Sequence, residues 1–188
     1  MLKKSIAGVA ALSLLAVVPA FAAASASSNI TINGSVADTC TLTMGASSAA
    51  TNSTFATNTI SITNLADATT AQSVTASQTL NFAGMCNYAH SISLESANGG
   101  LTHDGSVTVV GGTFDDLVEY DVSSNWASAG AALDAEGGAT VKDVQSVSGA
   151  NAESAAELSF NIDNNGGTDP LLAGNYTDTV TIQLGAAL

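Results

Sequence analysis

Two observations predict an all-β chain, a β-sandwich with Greek-key connections. A strict period-two stripe runs through residues 29–44, and shorter alternating segments follow it, separated by Asn-Gly and Gly-Gly turn pairs. In the stripe Ile30, Ile32, Val36, Cys40, Leu42 and Met44 fall at even positions, and Thr31, Asn33, Ser35, Thr39, Thr41 and Thr43 at odd ones. A strand with this pattern has one dry edge and one wet edge.

Ahead of the stripe lies an export signal. Lys3 and Lys4 form a positive n-region, residues 6–18 a short apolar stretch, and Ala20-Phe21-Ala22 after Pro19 an A-x-A cleavage site, with the cut after Ala22 or Ala23. A membrane anchor needs about 18 to 20 unbroken apolar residues, and this run is shorter. Nothing later in the chain is long enough to span a bilayer. No lipobox precedes Cys40, which argues against a lipid anchor there. The organisation expected is therefore a signal peptide at 1–22, an N-terminal extension at 23–38 and one domain at 39–188.

Lys3 and Lys4 leave with the signal, so the formal charge moves from −13 to −15, with Lys142 the remaining Lys or Arg against 16 acids. Without a basic patch, binding to nucleic acid or anionic lipid has no electrostatic basis. The acidic surface is expected to be solvated.

Two cysteines in an exported chain predict one disulfide, Cys40 to Cys86, closing a loop of 46 residues. On the chain-entropy model it stabilises by roughly 4 kcal/mol. His90 and His103 fall in no metal-ligand spacing, so neither metal nor cofactor is expected.

The remaining strands are read in order from their alternation. Ile60 and Ile62 come first, then Leu80 and Phe82, then Ile92 and Leu94. Val107 and Val109 follow, then Val118, Tyr120 and Val122, and Leu158, Phe160 and Ile162. The last segment, 176–184, sets Tyr176, Val180, Ile182 and Leu184 on one side. Asn98-Gly99-Gly100, Gly111-Gly112, Gly137-Gly138 and Asn165-Gly166-Gly167 supply turns. Residues 46–57 are small and polar with no clear element, and 127–139 reads as a loop or one short helix. Trp126 is expected in the core.

Asn33-Gly34 is also a hairpin signal, but parity opposes a turn there. A two-residue turn would pair Ile32 with Ser35 and leave Val36 and Cys40 on the wrong face. A straight strand keeps the stripe in phase, with Gly34 marking a bulge or, preferably, a close approach by a neighbouring backbone.

Catalytic motifs are missing. The chain has no G-x-S-x-G elbow, no Walker-type loop and no H-E-x-x-H, so no enzyme is expected. The acids Asp115, Asp116, Glu119 and Asp121 invite a paired-carboxylate reading, yet Glu119 and Asp121 are out of phase with Val118, Tyr120 and Val122 and belong to a wet face. Residues 163–169, D-N-N-G-G-T-D, offer oxygen ligands on a turn, but they depart from the EF-hand spacing, and a plain turn is the simpler reading.

The stripe I-T-I-N-G-S-V leading into V-A-D-T-C-T-L, the second cysteine in L-N-F-A-G-M-C-N-Y, and the terminal L-L-A-G-N-Y-T-D-T-V-T-I-Q-L resemble the subunits of chaperone-usher pili, including the branch related to spore coat protein U. The resemblance implies an immunoglobulin-like sandwich lacking its last strand, which the N-terminal extension of the next subunit supplies. It makes Ile30, Ile32, Gly34 and Val36 donor-strand positions, and Val180, Ile182 and Leu184 the edge strand of an acceptor groove. It also implies a homo-polymer formed by strand exchange, with a periplasmic chaperone and an outer-membrane usher as partners, at the cell surface. The chain departs from many pilins in ending Gly185-Ala186-Ala187-Leu188 rather than with an aromatic second from the end. The function expected is a structural subunit of an adhesive surface fibre. The alternative is a self-contained secreted sandwich that binds carbohydrate or calcium.

Overall fold

The computed structural model describes residues 30–105, 113–147, 151–163 and 169–186. The chain divides into two units, Met1–Ser35 and Val36–Leu188. In the first, residues 30–35 are exposed and form no regular secondary structure. In the second, residues 36–39 are likewise exposed and outside any strand, so the strand expected from residue 29 begins only at Cys40. The physical reason is that a strand is completed by a ladder partner, and residues 30–36 have none among the described residues.

The described residues contain no helix and thirteen strands. These are β1 (Cys40–Thr51), β2 (Ser53–Ala56), β3 (Thr59–Ile62), β4 (Ala76–Cys86), β5 (Ser91–Ser96), β6 (Leu101–His103) and β7 (Leu117–Val118). They continue with β8 (Tyr120–Trp126), β9 (Ala129–Ala135), β10 (Val141–Ser146), β11 (Ala152–Ile162), β12 (Tyr176–Thr177) and β13 (Val180–Gly185). A five-stranded sheet has the order β1-β4-β11-β8-β9 and a three-stranded sheet the order β10-β5-β13. Two small sheets, β12-β6-β7 and the hairpin β2-β3, complete the unit. The ladders are antiparallel.

Alternation explains the core. β8 and β9 bury every second residue, and Leu80, Phe82, Val122, Trp126 and Phe160 of the larger sheet share one cluster with Ile92, Leu94 and Leu184 of the smaller. Each such side chain contributes on the order of 1.5–3 kcal/mol by leaving water. Trp126 is fully buried, as expected, and stacks on Phe82 with ring centroids 5.9 Å apart. Cys40 and Cys86 face each other across β1 and β4 and form the expected disulfide.

Three expectations need correction. Residues 127–139 are neither loop nor helix, because Ala129–Ala135 is strand β9. Residues 46–57 are largely strand: β1 runs on to Thr51 through two bulges, and β2 follows. The terminal segment is two strands, with Tyr176–Thr177 paired to β6 and Val180–Gly185 to β5. Its alternation breaks at Asp178 and Thr179, where the backbone leaves one sheet for the other. Val107, Val109, Gly111-Gly112 and the interior of 163–169 lie outside the described residues.

Candidate functional site

The two main sheets differ in width, and this creates the site. Among the described residues the smaller sheet has no further strand beyond β13, so the inner face of the larger sheet is uncovered on its β1 side. An open, mainly apolar groove of about 570 Å³ lies there. Leu80, Leu158 and Phe160 come from the middle of the larger sheet. Leu42 and Met44 of β1 form one flank, Val180, Thr181 and Ile182 of β13 another, and Phe55, Ile60 and Ile62 of the β2-β3 hairpin a third. Among the described residues β13 pairs only with β5 and β1 only with β4, so each has a free backbone edge. Such edges are templates for an added strand.

One end of the groove is polar. Asp178 receives the hydroxyl of Tyr120 at 2.6 Å, the hydroxyl of Ser96 at 2.5 Å and the backbone N–H of Asn98 at 2.9 Å. The N–H of Thr179 also donates to it, at 2.6 Å. Burial works to raise the Asp178 carboxyl, but the bonds from Ser96, Tyr120, Asn98 and Thr179 outweigh it and hold the group below its ordinary value. Burial, followed by the Asp178 bond, pushes the Tyr120 phenol far up, so it stays a neutral donor. Sequence reading placed Tyr120 in the core and assigned Asp178 no role. The available signal was the break in alternation at Asp178.

Val180 and Ile182 line the groove, whereas Leu184 is buried beyond it, close to Gly84. A side chain at Gly84 would come within 2.5 Å of Leu184 Cδ1 and 2.9 Å of Trp126 Cη2, so the larger and smaller sheets meet closely here. Gly84 was not singled out in the sequence. Ile30, Ile32 and Val36 are 85%, 91% and 85% exposed, and Gly34 has nothing within 4 Å of where a Cβ would stand. Downstream, Asn87 secures residues 37–39: its side chain accepts from Thr39 N–H at 2.7 Å and donates to Ala37 C=O at 2.9 Å.

Asp121 is exposed and Glu119 half-buried, on the face opposite Val118, Tyr120 and Val122. The register sets Asp121 directly across from Asp134. Burial first, then the charges of Asp134 and Asp163, raise the Asp121 carboxyl; burial, Glu136 and Asp134 do the same for Glu119. No group of three metal-ligating side chains occurs among the described residues. His90 is structural, since its Nε2 accepts from the indole N–H of Trp126 at 3.0 Å and its Nδ1 lies 2.7 Å from Tyr88 C=O. His103 has its ring nitrogens at the carbonyls of Gly105 and Ala173.

No family model, curated protein or solved structure matches the chain.

Proposed function

We propose that this protein is a structural subunit of a cell-surface fibre, polymerised by donation of its N-terminal extension to the groove of the next copy. The observation that carries the reading is the groove itself, an apolar trough flanked by the free edge of β13 in a chain that also holds an exposed apolar stripe at Ile30, Ile32 and Val36. Exposed apolar stripes and unpaired edges are liabilities for a solitary protein. Both are removed when the stripe of one copy becomes the missing strand of another.

The strand order adds support. β1-β4-β11-β8 follows the A-B-E-D sheet of an immunoglobulin-like sandwich and β5-β13 follows C-F, with the position of strand G falling at the groove. Seven residues from 30 to 36 extend over about 23 Å, enough to pair along six-residue β13. Gly34 then falls where the donated strand passes the acceptor most closely, and Asn33 on the wet edge. A periplasmic chaperone that lends a strand and an outer-membrane usher fit the same chemistry, as does export by the signal at 1–22. No catalytic role is proposed.

The test is assembly of purified, exported protein, read as a heat-sensitive ladder in detergent gels. Ile32→Asp abolishes the ladder while the variant still accepts a synthetic peptide of residues 29–37, because its own groove is intact. Asn33→Thr assembles normally. A wild type that stays monomeric and does not bind the peptide rules the reading out in favour of a self-contained secreted sandwich.

A further inference from the structure

The described residues include two Asn-Gly pairs, and the fold treats them in opposite ways. Asn33 and Gly34 are exposed and outside any strand, and neither forms a hydrogen bond among the described residues. Asn98-Gly99 is locked. Asn98 Nδ2 donates to Thr102 Oγ1 and to Thr177 C=O, both at 3.1 Å, and Asn98 N–H donates to Asp178 at 2.9 Å. The Gly99 N–H, the atom that matters most, donates to Ser96 Oγ at 2.9 Å, and Gly99 is fixed at φ +63°. Asn165-Gly166 lies outside the described residues.

An asparagine followed by glycine closes on itself when the glycine nitrogen is free to lose its proton and to reach the side-chain amide carbon. Glycine favours this because no Cβ obstructs the approach and its backbone is permissive. Asn33-Gly34 meets both conditions. Asn98-Gly99 meets neither, because its nitrogen is engaged and its backbone is held in one conformation.

From this contrast we infer that Asn33-Gly34 is a site of spontaneous covalent modification and that Asn98-Gly99 is protected from it. The Gly34 nitrogen gives its proton to solvent base and attacks Cγ of Asn33. The N–Cγ bond forms, the Cγ–Nδ2 bond breaks, and ammonia leaves with a proton from water, giving a five-membered imide. Water then opens the imide. Cleavage at Cγ restores a normal backbone with aspartate at position 33; cleavage at the former backbone carbonyl routes the chain through Cβ and Cγ as isoaspartate.

Either product adds a negative charge to a chain already at −13. The isoaspartyl form also inserts one backbone atom between Ile32 and Val36, so their side chains no longer share an edge. The consequence for assembly rests on the strand-donation reading: an extension left unpaired ages out of register, and one paired in a neighbour's sheet is protected by its ladder.

The test incubates the purified, exported protein and its assembled form at mildly alkaline pH beside a synthetic peptide of residues 29–37. Peptide mapping by mass spectrometry, with fragmentation that separates aspartyl from isoaspartyl, follows Asn33 and Asn98. The expected result is loss of the amide at Asn33 in the monomer at nearly the peptide's rate, mostly to the isoaspartyl form, with the amide of Asn98 retained. Asn33→Gln removes the conversion. Retention of Asn33 while the peptide converts, or equal conversion of Asn98, overturns the inference. Equal conversion of Asn33 in monomer and fibre supports the modification site and counts against strand donation.

Discussion

The phenol of Tyr120 on β8 donates to the carboxylate of Asp178, just ahead of β13, at 2.6 Å. This bond ties the larger sheet to the chain entering the smaller one, at the polar end of the groove. Tyr120→Phe removes this bond, with an expected loss of roughly 1–3 kcal/mol in urea unfolding. The pH dependence has a definite sign. Because the Asp178 carboxyl is held below 3.8, its stabilisation is complete above that value and is lost as pH falls below it through the folded value. Acid unfolding of Asp178→Asn is correspondingly less steep than that of wild type. Identical acid limbs in the two proteins contradict the assignment.

His103 carries the opposite sign. Its imidazole is raised above 6.5, first by the Ala173 carbonyl and then by that of Gly105, with Asp104 and Asp116 adding a smaller attraction. The stabilisation is therefore complete below 6.5 and lost as pH rises through the folded value. An NMR titration of the ring should give a midpoint above 6.5; a midpoint at or below it disproves the two-carbonyl clamp.

The Asp121–Asp134 pair is a built-in strain. Like charges directly opposite in an antiparallel pair are destabilising, and the Asp121 carboxyl is raised. Asp134→Asn is expected to stabilise the domain by about 0.2–1 kcal/mol, with less gain at high salt. Thermal melts of the variant across ionic strengths check this, and a lower melting temperature at low salt would show that the acids have a partner they need.

Gly84 has no space for a side chain. Valine there must displace Leu184 and the ring of Trp126, at a cost of roughly 1–3 kcal/mol. The measurement is chemical denaturation with Trp126 emission as the probe. An unchanged midpoint means that the sheets separate more easily here than their close approach indicates.

Legibility differed by element for reasons that can be named. Strands that bury one face announced themselves, as Val118, Tyr120 and Val122 or Leu158, Phe160 and Ile162 did, because burial imposes period two. Strand β9 did not. Its turn from β8 is Ala127-Ser128, with φ of 45° and 73°. This positive-φ pair lacks the Asn-Gly signature that such hairpins usually carry, and the alanines of β9 give little contrast. Strand β10 was missed because it shows no clean alternation in V-K-D-V-Q-S.

Local chemistry alone was enough for the all-β class, the Cys40–Cys86 pairing and the burial of Trp126. These depend on residue type and parity, which the chain carries along its own length. Only the tertiary structure decided that the sheets differ in width, that the terminal segment divides at Asp178, that Leu184 joins the core while Val180 and Ile182 line a groove, and that Asp121 faces Asp134. Each of these is a relation between residues far apart in sequence, set by which edges pair and in what register, and a period of two in one segment is silent on its partner.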